Sequence, residues 1–468
     1  MKKKLIALLC GTSMVMGLLT GCGSTTENAA PADQAQTAEV KEESTPQAAG
    51  TDEAPAAEGG EDYSTPLPSD YSGTLTMWGW DDPYFQAVTQ GFNELYPNVT
   101  FEYTPMANGD TLQKYQTALA SGTELPDVAW AIIDSRAKVY ELDMWEDLSA
   151  APYNFDINEV MEFTRPSLVN SKGMVCGIEQ CICPAGLGYR KDLAKEYLGT
   201  DDPKELEAMF PTWEAFIAKG KEVYEKSGGT VYMFQGLGDA EQFIREQEGK
   251  SWIEGNTIKM TDALQRSIEL AAELRDNNCC DQLEAWSNAW YASFGESNHI
   301  FVGCATWSIA SPIAANDPSG ESEGHWGLMN TPEGNVSWGG TCMGITKTCQ
   351  DKRLAWEFVK YACLSTEGAK ASGSIGYFTS AIKPYEEDPE LKNFTSPWFG
   401  DQNLGEMFID EIAPNVTRRP MNLDDNAIHE TLSLVTTAMT NDPSMTAEAA
   451  MEMLKEELEM RLPDYTIE

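Results

Sequence analysis

Basic residues are scarce. The 468-residue chain carries 32 Lys and Arg against 74 Asp and Glu, a net charge of −42. A surface of that sign repels phosphate backbones, so nucleic acid is not an expected partner. Histidine is scarcer still, and His299, His325 and His429 stand in unrelated contexts. Cys176-x4-Cys181-x-Cys183 has poor spacing for zinc, so neither a metal nor another cofactor is expected. There is no phosphate-binding Gly-x4-Gly-Lys-Ser/Thr and no His-Glu-x-x-His. No catalytic residue can be named, and the reading is a protein that is not an enzyme. A carboxylate pair for glycoside hydrolysis can always be drawn from 74 acids, which makes such a pair uninformative.

Long apolar runs are missing too. Leu5 to Leu18, after Lys2, Lys3 and Lys4, is too short to span a bilayer comfortably and reads as an export signal. It leads into Leu19-Thr20-Gly21-Cys22, which resembles the bacterial lipobox. That resemblance implies cleavage after residue 21, with Cys22 lipidated as the new first residue. Two acyl chains hold stably, since each buried methylene contributes roughly 0.8 kcal/mol. The protein is then expected on the extracytoplasmic face of the cell membrane, attached by a lipid anchor only. With Cys10 in the leader and Cys22 as anchor, nine of the 11 cysteines remain, an odd number that cannot all pair. Most lie among apolar or small residues, as core hydrophobes do.

Residues 22–70 have almost no large apolar residues before Tyr63, and read as a disordered acidic tether. From Tyr71 the pattern changes. Thr74 to Trp78 reads as a strand, and Asp82 can cap a helix with Pro83 in its first turn. Phe85, Val88, Phe92 and Leu95 recur at helical spacing. Asn98 to Tyr103 reads as a strand, Thr111 to Ala120 as a helix, and Val128 to Ile133 as a buried strand. Such alternation implies an α/β sheet, whose ligands sit beyond the carboxyl ends of the strands. Trp78, Trp80, Asp81 and Asp134 occupy such ends.

A series of short stretches then lines up. They are Trp78-Gly-Trp80, Gly122-Thr-Glu-Leu-Pro-Asp-Val-Ala-Trp130, Trp145-Glu-Asp-Leu148, Gly186-Leu-Gly-Tyr189-Arg-Lys-Asp192 and Pro211-Thr-Trp213-Glu-Ala-Phe216. Val302-Gly-Cys-Ala-Thr-Trp307, Trp338-Gly339-Gly340 and Ala355-Trp-Glu-Phe-Val359 follow. Taken in order, the set resembles the extracellular solute-binding proteins of ABC importers, particularly the carbohydrate-binding group that includes maltose-binding protein. The resemblance implies a two-lobed periplasmic-binding-protein-like α/β fold with a ligand cleft between lobes joined by hinge crossings. It places lobe 1 at 71–182 and 341–390, and lobe 2 at 183–340 and 391–468. The crossings fall at Cys181 to Gly188, Ser337 to Thr341 and Pro389 to Phe399. Gly186/Gly188 and Gly339/Gly340 suit a hinge and close ligand approach.

The resemblance also implies ligand contacts. Trp307 ends an apolar strand where the family often places a stacking aromatic. Trp338 and Gly340 stand at a crossing, and Tyr377 near a turn by the cleft. Asp134 matches the ligand-binding carboxylate after the third strand. Glu179 and Gln180 stand just before the first crossing, with Arg136 free to pair with Asp81 or Asp134. Indole rings stack on sugar rings while carboxylates and amides read hydroxyls, so a carbohydrate is the expected ligand. The expected partners are ABC permease subunits, and the expected state is a monomer. The competing readings are a surface glycoside hydrolase, a sensor lipoprotein, and a receptor for a non-sugar solute such as a polyamine or metal chelate.

Overall fold

The computed structural model describes residues 63–468, so Cys22 and the leader lie outside the described residues. Within these, two sheets each carry their own apolar core. The first is built from β1 (Ser72–Gly79), α1 (Asp82–Leu95), β2 (Asn98–Pro105), α2 (Thr111–Ser121), β3 (Val128–Ile132), α3 (Ile133–Tyr140) and β4 (Ile178–Cys181). The second follows at once with β5 (Pro184–Arg190), then α4 (Trp213–Lys226), β6 (Tyr232–Phe234), α5 (Leu237–Gln247), α6 (Met260–Asp276), α7 (Asn288–Ser293), β7 (His299–Ala305), β8 (Trp326–Met329) and β9 (Val336–Ser337). The chain then returns as β10 (Thr341–Ile345) to the first sheet, adds α8 (Lys352–Leu364) and α9 (Thr366–Gly373), and ends with α10 (Asp425–Asn441) and α11 (Ala447–Arg461) against the second core.

The first sheet has the order β2-β1-β3-β10-β4. Strands β1, β2 and β3 run parallel, and β10 lies antiparallel between β3 and β4. Parallel strands buried on both faces read as apolar runs, as in Val128-Ala-Trp-Ala-Ile132. The second sheet has the order β8-β5-β7-β6, with β9 also paired to β5. Only two residues, Ile182 and Cys183, separate β4 from β5, and three separate β9 from β10. The sheets are thus joined at closely spaced crossings. Ile182 donates to Phe378 O at 2.8 Å, and Trp338 to Cys183 O at 2.8 Å, which ties the crossings to each other.

Several expectations need correction. The folded body starts before Tyr71, because Tyr63 and Leu67 are buried in the first core and Lys360 Nζ donates to Tyr63 O at 3.1 Å. The cap of α1 is Asp81, one residue earlier than Asp82; its carboxylate accepts the Tyr84 N–H at 3.0 Å. Phe378 and Tyr385 already belong to the second core, ahead of the stretch Pro389 to Phe399. Gly186 and Gly188 do not act as a hinge pair. Both lie inside β5, and a side chain at Gly186 would run into the Met329 carbonyl at 2.3 Å. Gly339 and Gly340 do adopt left-handed backbone, with φ of 105° and 128°.

Candidate functional site

The carboxyl end of β1 and the start of α1 deliver Trp80 and Asp81 to the edge of the first core. Trp80 meets Trp130 edge to face at 5.3 Å. Asp81 accepts the Tyr377 hydroxyl at 2.5 Å, and Tyr377 in turn meets Tyr84 edge on at 5.8 Å. Burial, then the neighbouring Cys181 and Asp81, push the Tyr377 phenol far above its usual range, so it stays a donor. Beside it the neighbouring Cys183, and then burial, hold the Cys181 thiol well above its ordinary range.

Cys183 also lies near the other half of the site. A Cβ built on Gly339 would stand 3.2 Å from Trp307 Nε1 and 3.6 Å from Cys183 Sγ. Trp307 leaves the end of β7 and donates its indole N–H to Trp338 O at 2.8 Å. The two indoles meet edge to face at 4.9 Å. Phe243 of α5 closes the back of Trp338 at 5.5 Å.

The residue that sequence reasoning missed is Trp286. Its indole lies near-parallel to Trp307, at 5.7 Å and 28°, and also packs on Trp290 and Trp338. It is 50% exposed, whereas Trp290 and Trp338 are buried. Its φ is +67°, a conformation that a bulky residue rarely adopts. Beneath it, Trp290 donates to Asp239 at 2.6 Å. Burial pushes the Asp239 carboxyl up to about 6, and the indole hydrogen bond opposes that only in part. The outcome is a shelf of indoles with one open face beside the crossings. The dense spacing Trp286-x3-Trp290 was the available signal.

Other named residues are placed differently. Trp78 turns toward α2, where it stacks on Tyr115 at 5.9 Å with Lys114 over its ring. It borders a groove of about 380 Å³ lined by Thr104, Gln113 and Thr117. Glu179 is fully buried in an ion cluster, 3.6 Å from Arg136 and 3.0 Å from Arg418. Arg136 therefore serves Glu179, not Asp81 or Asp134, and it also donates to Gly340 O at 2.7 Å. Gly340 is glycine because a Cβ would stand 1.9 Å from Glu179 Oε1. Gln180 is buried with its carbonyl oxygen unpaired. Asp134 sits in the first turn of α3. It is exposed there. On the same helix, Lys138 pairs with Asp424 at 3.1 Å, which links α3 to the entry of α10.

Among the described residues no group of three or more His, Cys, Asp or Glu is arranged to hold a metal ion. No helix among them is long and apolar enough to cross a membrane.

The profile of the bacterial extracellular solute-binding proteins matches residues 87–395. A lactose-binding protein of Rhizobium radiobacter is 25% identical over 316 residues. That match spans 65% of this chain and 65% of the length of that curated relative. A solved extracellular solute-binding protein of family 1 superposes with a TM-score of 0.73 at 20% identity, covering 83% of this chain and 99% of its own. The GacH receptor of Streptomyces glaucescens, solved unliganded and with acarbose, gives a TM-score of 0.66 at 18% identity, covering 85% and 100%. At such identities the solved structures speak for the fold, which is the two-lobed one.

Proposed function

Because the chain belongs to the bacterial extracellular solute-binding proteins, we propose that it is a lipid-anchored receptor that captures a sugar or oligosaccharide between its lobes and hands it to an ABC permease. The observation that carries the ligand class is the Trp286–Trp307 shelf, near-parallel indoles beside the crossings, Trp286 half-exposed and Trp307 partly buried. An open indole face suits the apolar face of a pyranose ring, and polar groups around it read the hydroxyls. Trp80, Asp81 and Tyr377 face the same crossings from lobe 1 and supply a carboxylate and a phenol. Trp307 and Trp338 contribute from lobe 2. Ligand that touches both lobes favours their closed arrangement, because those contacts exist only there. The named relatives bind lactose or acarbose, which supports a carbohydrate for this chain. They are binding proteins, and the chain is read as one, without catalysis.

The test is a thermal-shift and calorimetric screen of mono- and oligosaccharides, polyamines and peptides. A ligand at a hundred times its dissociation constant stabilises by about 2.7 kcal/mol, a clear rise in melting temperature. A shift from a sugar, without its hydrolysis, supports the reading. No shift from any sugar, with one from a polyamine or peptide, overturns the ligand class. For the anchor, the mass of the detergent-extracted protein should show diacylglyceryl-Cys22 as the first residue. A soluble protein with an unmodified start overturns that part.

A further inference from the structure

Arg418 lies on the segment that follows the bridge between Val416 and Asn335, in the second lobe. Its guanidinium reaches across the crossings in two directions. Nη1 donates to Glu179 Oε2 at 3.0 Å and to Ser167 Oγ at 2.6 Å, both in the first lobe. Nη2 donates to Gly339 O at 3.2 Å and to the Ser337 hydroxyl, both at the second crossing. From the first lobe, Arg136 reaches the same Glu179 and the next carbonyl, Gly340 O. One fully buried carboxylate and two consecutive crossing carbonyls are therefore held by two arginines of opposite lobes. A planar fork with five donors suits such a junction, where the point charge of lysine does not.

The two sets of Arg418 bonds have different fates when the lobes rotate apart. Ser337 and Gly339 are adjacent in space to Arg418 on the second-lobe side and travel with it. Glu179 and Ser167 stay with the first sheet. Only the second pair distinguishes one lobe arrangement from another, and only such differential contacts shift an equilibrium. The bonds to Ser337 and Gly339 also fix the peptide that follows Trp338, whose carbonyl receives the Trp307 indole N–H. We infer that Arg418 is a positioning residue for capture: it sets the lobe angle through Glu179 and Ser167, and the aim of the Trp307 shelf through Gly339. This goes beyond the ligand assignment and rests on the lobes moving, not on what they bind.

The experiment is small-angle scattering of the full ligand-free chain, joined with hydrogen exchange at the crossings. Arg418→Met should raise the radius of gyration and speed exchange of the Ile182 and Trp338 amides. Glu179→Gln should move both in the same direction, and the double variant should go no further than the larger single effect. Arg418→Lys, which keeps the charge but not the fork, should fall between wild type and Arg418→Met. Trp145→Phe, a buried first-core change, should lower the melting temperature without moving the radius, which separates positioning from plain destabilisation. Should Arg418→Met not fold, Arg418→Lys and Ser167→Ala give the same readouts. A folded Arg418 variant with wild-type radius and wild-type crossing exchange overturns the inference. Because no sugar is present, that result leaves the ligand assignment untouched, and failure of the sugar screen leaves this one untouched.

Discussion

The Tyr377 hydroxyl donates to Asp81 Oδ2 at 2.5 Å, while Asp81 Oδ1 accepts the Tyr84 N–H at 3.0 Å, so one carboxylate both caps α1 and holds the stretch after α9. Tyr377→Phe removes one donor and leaves the cap intact. It should cost about 1–2 kcal/mol, read as a lower denaturation midpoint with unchanged far-ultraviolet circular dichroism. An unchanged midpoint would show that the bond has no net worth in the folded chain.

Trp286 and Trp290 touch at 5.0 Å yet should respond oppositely to truncation. Trp286→Ala removes a half-exposed ring from a strained backbone, so stability should change little while sugar affinity falls by about 1–3 kcal/mol. Trp290→Ala empties a buried site and removes the partner of Asp239, and should cost roughly 3–5 kcal/mol of stability. Calorimetric titration and melting curves on both variants check the contrast.

Asp239 makes a definite pH dependence. Its folded-state value of about 6 lies above the ordinary 3.8, so the folded chain holds that proton more tightly than the unfolded one. The associated stability is fully present below about pH 4 and is lost as pH rises through about 6. Asp239→Asn can still accept from Trp290 and does not ionise. It should exceed wild type by up to roughly 3 kcal/mol above pH 6, with the gap closing toward pH 4. A gap that is constant with pH would contradict this assignment.

His429 acts with the opposite sign. Burial first, then Arg245, lower it from 6.5 to about 4, and its Nδ1 lies 3.0 Å from Arg245 Nη2. Its stability is fully present above about pH 6.5 and is lost as pH falls toward 4. His429→Gln should flatten that part of the acid limb by less than about 3 kcal/mol. Melting temperatures across pH 4–7 separate the two residues, because their slopes differ in sign.

Gly340→Ala should be severe. The new methyl would press on Glu179 Oε1 at 1.9 Å, and φ of +128° resists any L side chain. A loss of several kcal/mol is expected, against a smaller loss for Gly339→Ala, whose nearest neighbour is Trp307 Nε1 at 3.2 Å. Comparable midpoints for the two variants would refute the close-approach argument.

The strands of the first sheet were legible because Val128 to Ile132 and Thr74 to Trp78 announce themselves by local pattern. What depended on distant partners was not. Glu179 looked like a ligand contact because its role is set by Arg418, 239 residues away in sequence. Tyr63 and Leu67 looked like tether because Pro66 and Pro68 flank Leu67 and no period marks it. Trp286 escaped because its backbone is left-handed and belongs to neither a helix nor a strand. Trp78 pointed elsewhere because alternation along β1 turns it toward α2. Local rules gave elements and caps to within two residues, while the crossings were expected only from the resemblance.

The place of β10 between β3 and β4 dictates an order of assembly. A chain made from its amino end must complete residues 184–337, including the whole second sheet, before Thr341–Ile345 exists to fill the first. Until then β3 and β4 present bare edges to each other and to neighbouring chains. The earliest-begun sheet is thus completed only after the second sheet has been made, and any synthesis that halts before Thr341 leaves a fragment primed for edge-to-edge aggregation.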